Sequence, residues 1–293
     1  MNTNSAYLLG MVLGNGEIQA GPVETNITIE IPYKNLRTDN DNDVEIYVKA
    51  SLLDISNYIS DVIAPAKLTY TSGKHSTQVS FTLNNNHTFI TIIGEYILEG
   101  FKQQNFIISP AIFDLSRDYI RSLLKGFADV TGYIRRSNIA FGATAQHRVY
   151  LEIPKNWEMV ISIANLLKIV DVPIQTIDFA HPNLRDGKLK KYNAGNHNFW
   201  KKEHQIKIWA NEFLPIGFNI RHKEEALQNY ANELLTQSKL TPEKTHLFYW
   251  EKRIVLRTKP PHPGENDQSL PEQIRGNHYE SWTTLAKDLG YHE

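Results

Sequence analysis

The sequence predicts an α+β protein of two similar halves, each ordered helix–strand–strand–helix–strand–strand–helix, with a further segment behind them. Three observations predict it. Two apolar helical segments, Tyr7–Gly16 and Ser122–Gly132, each close on a glycine and carry another glycine six residues earlier. The closing glycines stand 116 residues apart, which suggests an internal duplication. After each segment the hydrophobic pattern alternates with period 2 and then with helical spacing, in the same order both times.

In the first half, residues 1–116, alternation over Asn26–Pro32 and again over Val44–Lys49 predicts two strands with one buried face. Leu52–Ile63 has helical spacing. Lys67–Thr71 and Thr77–Leu83 predict a second pair of strands, turning at Ser72-Gly73-Lys74. An amphipathic helix is expected over Thr88–Phe101.

In the second half, residues 117–239, Tyr133–Phe141 and Ala145–Ile153 predict a hairpin turning at Gly142. Val149, Leu151 and Ile153 share one face of it; Arg148, Tyr150 and Glu152 share the other. Pro154 and Asn156 open a helix that runs to Ile169. Pro173–Phe179 and Gln205–Trp209 predict strands on either side of a polar loop, His181–Lys202. A helix is expected over Lys223–Thr236. The remainder, 240–293, reads as an extension: a strand within Phe248–Leu256, a linker at Pro260–Gly264 and a short helix over Tyr279–Leu289.

Composition excludes several classes. The chain is 41% hydrophobic and 22% charged, an ordinary globular mixture, so a disordered or collagen-like protein is excluded. Apolar runs such as Ala6–Gly14 fall far short of the ~20 residues of a membrane span. Met1–Ser5 has no basic stretch, so no signal peptide is expected and an intracellular location is compatible. The absence of cysteine excludes disulfides, thiolate metal sites and cysteine nucleophiles, and leaves oxygen ligands for any metal.

The net charge of -1 conceals an asymmetry. Residues 1–116 carry 6 Lys+Arg and 12 Asp+Glu, whereas residues 133–223 carry 14 and 7. A +7 block suggests an anionic partner for the second half.

The two glycine-closed segments and the element order after each resemble the LAGLIDADG family, which includes homing endonucleases, intein endonucleases and maturases. The resemblance covers residues 5–238 in element order and the two segments at motif level. It implies that the two motif helices pack side by side on a pseudo-twofold axis, giving a pseudo-dimeric monomer. Gly10 and Gly14 stand four apart on one helix face, as do Gly126 and Val130. Small residues there let two backbones approach, and Val130 widens the contact slightly. The resemblance further implies a saddle of antiparallel sheets over double-stranded DNA, with RNA the other candidate. The activity it implies is site-specific phosphodiester hydrolysis, of homing or restriction type, with Mg²⁺ or Mn²⁺.

In the family, the residue before each closing glycine is an acid that binds the divalent metal. Those positions are Asn15 and Thr131 here. The acid two residues earlier survives as Asp129 and is Leu13 in the first half. Three readings stand open. Glu17 and Asp129 supply carboxylates to an altered metal site; or cleavage is lost and nucleic-acid binding kept, as in maturase-like or regulatory relatives; or Asn15 is an inactivating Asp→Asn replacement. Lys223 stands about where family members carry a basic residue near the catalytic centre. The candidate catalytic residues are therefore Asn15, Glu17, Asp129, Thr131 and Lys223, with Glu17 and Asp129 the candidate metal ligands. No HExxH spacing exists among the 11 histidines, and His147, His197 and His204 read as polar contacts.

For nucleic acid, the expected contacts are Arg135, Arg136, Arg148 and Lys207 on strands, and Lys188, Lys190, Lys191, Lys201 and Lys202 in the polar loop, with amides and aromatics interleaved. The first half puts Glu30 and Glu45 beside Thr28, Tyr47 and Lys49 on its exposed face, and has Asn-rich turns at 39–43 and Asn84–Asn86. Asymmetric contacts to two half-sites are expected.

Overall fold

The computed structural model describes residues 1–36, 38, 44–136, 147–154, 156–181, 203–237, 255–257 and 278–279. Helix α1 (Thr3–Asn15) starts on Asn2, whose side chain accepts from the Ser5 N–H. It stops at Gly16, whose extended backbone turns the chain straight into β1 (Gly16–Ala20). Then come β2 (Glu24–Pro32), α2 (Val44–Ile63), β3 (Thr69–Ser72), β4 (Ser76–Asn84) and α3 (Thr88–Tyr96). A small ribbon, β5 (Ile97–Glu99) with β6 (Ile107–Ile108), leads to α4 (Arg117–Thr131). The second round is β7 (Gly132–Arg136), β8 (His147–Ile153), α5 (Trp157–Ile169), β9 (Thr176–His181), β10 (Glu203–Trp209), the single turn α6 (Ala210–Phe213) and α7 (Arg221–Gln237). Strands β11 (Val255–Arg257) and β12 (His278–Tyr279) follow.

The two rounds repeat in space as well as in order. The first sheet runs β1-β2-β4-β3, and the second contains β7-β8-β10-β9, the same order with each strand at its counterpart's place. All these pairs are antiparallel. The second sheet extends beyond β9: β11 pairs parallel to it, Leu256 opposite Ile177, and β12 pairs antiparallel to β11. One contiguous core joins α1, α4, both sheets and α5.

Three expected elements differ. Val44–Lys49 is not a strand but the opening of α2. The alternation there is outrun by a longer helical stripe, Val48, Ser51, Ile55, Ile59 and Ile63, all buried. The first hairpin is made instead by β1 and β2, and residues 44–49 belong to a helix rather than to the sheet. The helix expected to Phe101 stops at Tyr96, where the chain enters β5. Tyr279 lies in β12 rather than opening a helix.

Candidate functional site

The helix pair α1 and α4 forms the centre of the molecule. A Cβ built on Gly10 would lie 1.9 Å from the Leu123 carbonyl oxygen, and one on Gly126 would lie 2.0 Å from that of Tyr7. Each glycine thus meets the backbone of the residue three before its counterpart, which is a local twofold relation. Toward the helix ends, a Cβ on Gly14 would lie 2.6 Å from a methyl of Val130, so the larger side chain fills the space left by the smaller. Both helices end beside each other and turn at once into β1 and β7.

The end of α4 is internally wired. Asp129 is 0% exposed. Its carboxylate accepts from the Tyr7 hydroxyl at 2.6 Å and from the Asn219 and Ile220 N–H groups at 3.1 and 3.4 Å. Lys223, also 0% exposed, reaches back from the first turn of α7. Its ammonium donates to the carbonyls of Ala128 (3.0 Å), Asp129 (3.1 Å) and Gly132 (2.7 Å). The Thr131 hydroxyl turns back onto the Phe127 carbonyl, and the Asn35 amide donates to the Val130 carbonyl. The carbonyls of Ala128, Asp129 and Val130, in the last turn of the helix, are therefore satisfied from inside the protein. Burial lowers the Lys223 pKa to about 7, against the pull of Asp129. Burial raises that of Asp129, opposed by Lys223 and by its hydrogen bonds. The Tyr7 hydroxyl is raised well above its ordinary value by burial and by Asp129.

The end of α1 is different. Leu13 stands where Asp129 stands in α4, buried and apolar. Asn15 donates its amide to the Glu30 carbonyl at 2.9 Å. Glu17 sits on β1 with its side chain 31% exposed, 2.8 Å from the Lys102 ammonium and accepting from Gln19. Lys102 and then Gln19 hold its carboxyl below the usual range.

The expected pairing of Glu17 with Asp129 in one metal site does not form. Glu17 faces solvent beside Lys102, while Asp129 spends both oxygens inside the protein. Thr131 and Lys223 are likewise turned into the helix junction rather than toward a reacting group. A hard divalent cation needs several oxygen ligands with free lone pairs. Asp129 already accepts three hydrogen bonds and the carbonyls beside it face the Lys223 amino group, so the end of α4 does not present an open set of oxygens to such a metal. Among the described residues, no group of three or more His, Asp or Glu could hold one.

The basic residues divide. Arg135 and Arg136, at the end of β7, are exposed. Arg148 and Lys207 are 4% and 9% exposed, not presented to solvent. Arg148 packs its guanidinium 4.2 Å over the Trp209 ring, and Lys207 lies 5.6 Å over Tyr150. On the same face Glu152 pairs with Lys34 at 2.6 Å and accepts from Gln205. His204 is buried, which lowers its pKa to about 4 and keeps it neutral at ordinary pH. His147 stacks on the Tyr230 ring, and His197 lies outside the described residues. Lys188, Lys190, Lys191, Lys201 and Lys202, with the loop they occupy and the 39–43 turn, lie outside the described residues.

The first sheet presents an open polar face that the sequence left mixed with α2. Glu17, Thr28, Ser80 and Thr69 stand in one row across it; Gln19, Asn26 and Thr82 make a second; Glu30, Gln78 and Thr71 make a third. Asn85, expected as a contact, instead braces the end of that sheet through Thr25 and Gly21. Tyr7 and Asn35 were not singled out by sequence. Tyr7 opens the first motif segment, but nothing in one sequence pairs it with Asp129.

Comparison with family models finds no match, and neither does comparison with curated proteins. Among solved structures, the chain is similar to a variant of I-DmoI in complex with its target DNA in the presence of manganese: 14% identity over 72% of this chain and 91% of that one, TM-score 0.41. It is similar to mesophilic variants of the homing endonuclease I-DmoI, with 14% identity over 78% and 96% and a TM-score of 0.41. The LAGLIDADG homing endonuclease I-GzeII in complex with a DNA target gives 8% identity over 82% and 94%, TM-score 0.39.

Proposed function

We propose that the chain is a site-specific binder of double-stranded DNA on an endonuclease-like scaffold, acting as a monomer with pseudo-twofold symmetry. The observation that carries this reading is the helix pair with its two sheets in matching strand order. Two sheets related by a local twofold, one with an open polar face and the other with Arg135 and Arg136 exposed at a strand end, suit unlike contacts to the two half-sites of a duplex. The open face of the first sheet offers hydroxyls and amides, which donate to and accept from base edges. Arg135 and Arg136 supply phosphate contacts on the other side.

A second reading, metal-dependent cleavage with Mg²⁺ or Mn²⁺, is favoured by one observation: Glu17 puts a solvent-facing carboxylate next to the end of α1. It is a single acid held by Lys102, so the binding reading stands first. The test is incubation of the full chain with a randomised duplex library in Mg²⁺ or Mn²⁺. Salt-dependent retention of a defined sequence without cutting supports the first reading. Defined fragments lost on Glu17→Gln support the second, and no retention at low salt overturns both.

A further inference from the structure

The end of α4 has the form of a cation site already filled by the chain. An ammonium has three donors, and those of Lys223 are all used, on the carbonyls of Ala128, Asp129 and Gly132. The arrangement is reciprocal. Asp129, near the C-terminus of α4, accepts the N–H groups that lead into α7, and Lys223, in the first turn of α7, closes the carbonyls at the end of α4. Negative charge near one helix N-terminus and positive charge at the other's C-terminus both oppose the local helix dipoles favourably. The neighbouring donors belong to the same junction: Asp54 of α2 accepts from the Arg221 N–H at 2.9 Å, and Glu224 accepts from the Phe218 N–H at 2.8 Å.

We infer that the Lys223 amino group takes the place of a metal cation at this helix end, so that the chain holds no divalent metal through Asp129 and engages duplex DNA on this side without one. The DNA clause rests on the binding reading above; the metal clause does not. A divalent ion brought to these carbonyls would have to displace an amino group bonded to all three at 2.7–3.1 Å. It would also compete at Asp129 with three hydrogen bonds, one of them the 2.6 Å bond from Tyr7. The asymmetry between the halves follows, because α1 has Leu13 in place of that carboxylate.

The experiment uses the full chain and Mn²⁺ alone as the probe. Paramagnetic broadening is followed on the amide signals of Tyr7, Asp129, Asn219 and Ile220 in the unmutated protein, and Mn²⁺ binding is compared between it and Asp129→Asn. The expected result is sharp signals at those four positions and identical Mn²⁺ isotherms. Broadening centred there, or Mn²⁺ binding lost in Asp129→Asn, overturns the metal clause. Should Asp129→Asn fail to fold, the broadening map of the unmutated chain decides alone. Duplex affinity is then measured in EDTA and in Mg²⁺. Equal affinity supports the DNA clause, and binding that vanishes in EDTA overturns it. A chain that binds no duplex in either buffer sinks the binding reading and leaves the metal clause to the Mn²⁺ result.

Discussion

Gly10 and Leu123 are in backbone contact across the two motif helices, with no room between them for a single methyl: a Cβ on Gly10 would fall 1.9 Å from the Leu123 carbonyl oxygen. The obstacle is main chain, so it cannot rotate away. Gly10→Ala and Gly126→Ala should each destabilise the protein by about 3 kcal/mol, the upper part of the ordinary overpacking range. Gly94, in α3, has nothing within 4 Å of the same atom. There alanine should stabilise by about 0.5–1 kcal/mol through helix propensity. Urea denaturation of the three variants checks this; similar losses at Gly10 and Gly94 would contradict the packing account.

Removing the Lys223 ammonium should be among the most damaging single changes. Lys223→Met keeps the buried length but removes three hydrogen bonds to carbonyls and leaves Asp129 without its opposite charge, a loss of about 3–5 kcal/mol. Asp129→Asn should cost less, because an amide oxygen can still accept. The double variant should cost less than the two singles added, as groups in one network do. Strict additivity in a denaturation cycle would refute the coupling.

The same residue predicts a pH dependence. The folded pKa of Lys223 is lowered to about 7 from 10.5, so the unfolded chain binds more protons between those values. Its contribution therefore rises with pH across that window, is complete above 10.5, and is lost as pH falls through about 7. Asp129 acts oppositely: its raised pKa makes the folded state bind more protons above 3.8, so stability falls with rising pH there. Thermal melts from pH 6 to 10.5 should show the rise in the unmutated chain and its loss in Lys223→Met.

Arg135 and Arg148 face each other across β7 and β8 yet should behave differently. Arg135→Ala should leave the melt unchanged, weaken duplex binding and lower the salt slope by about one. Arg148→Ala should instead lower the melting temperature, since its guanidinium packs on Trp209. Fluorescence anisotropy at several salt concentrations, beside melts of the same samples, separates the two outcomes.

The element order was legible because each strand and helix carries its own period and its own stop. Asn156 caps α5 and Gly16 ends α1 as their residue types dictate. Val44–Lys49 misled because six residues satisfy period 2 by chance, and only the stripe to Ile63 reveals the helix. The glycine positions of the helix contact could be read from spacing. The roles of Asp129 and Lys223 could not. Both are polar residues at helix ends, a placement that fits a surface site and an internal cap equally well. What separates the two is the partner 90 or more residues away, seen in the bonds from Asn219, Ile220 and Lys223. Arg148 and Lys207 went astray for a related reason: strand alternation says that their face is not the aliphatic one, but not that the face is open.

Helix α1 is buried on every side, from Ser5 to Gly14 without a break. Its partner α4 lies more than a hundred residues downstream, so a ribosome adding roughly 5–20 residues each second leaves α1 waiting for several seconds. During that interval an apolar helix lacks the partner it packs against most extensively. The halves are thus obligate companions in time as well as in space. Residues 1–116 expressed alone should aggregate and should become soluble when residues 117–293 are supplied in the same cell, which the soluble fraction would reveal.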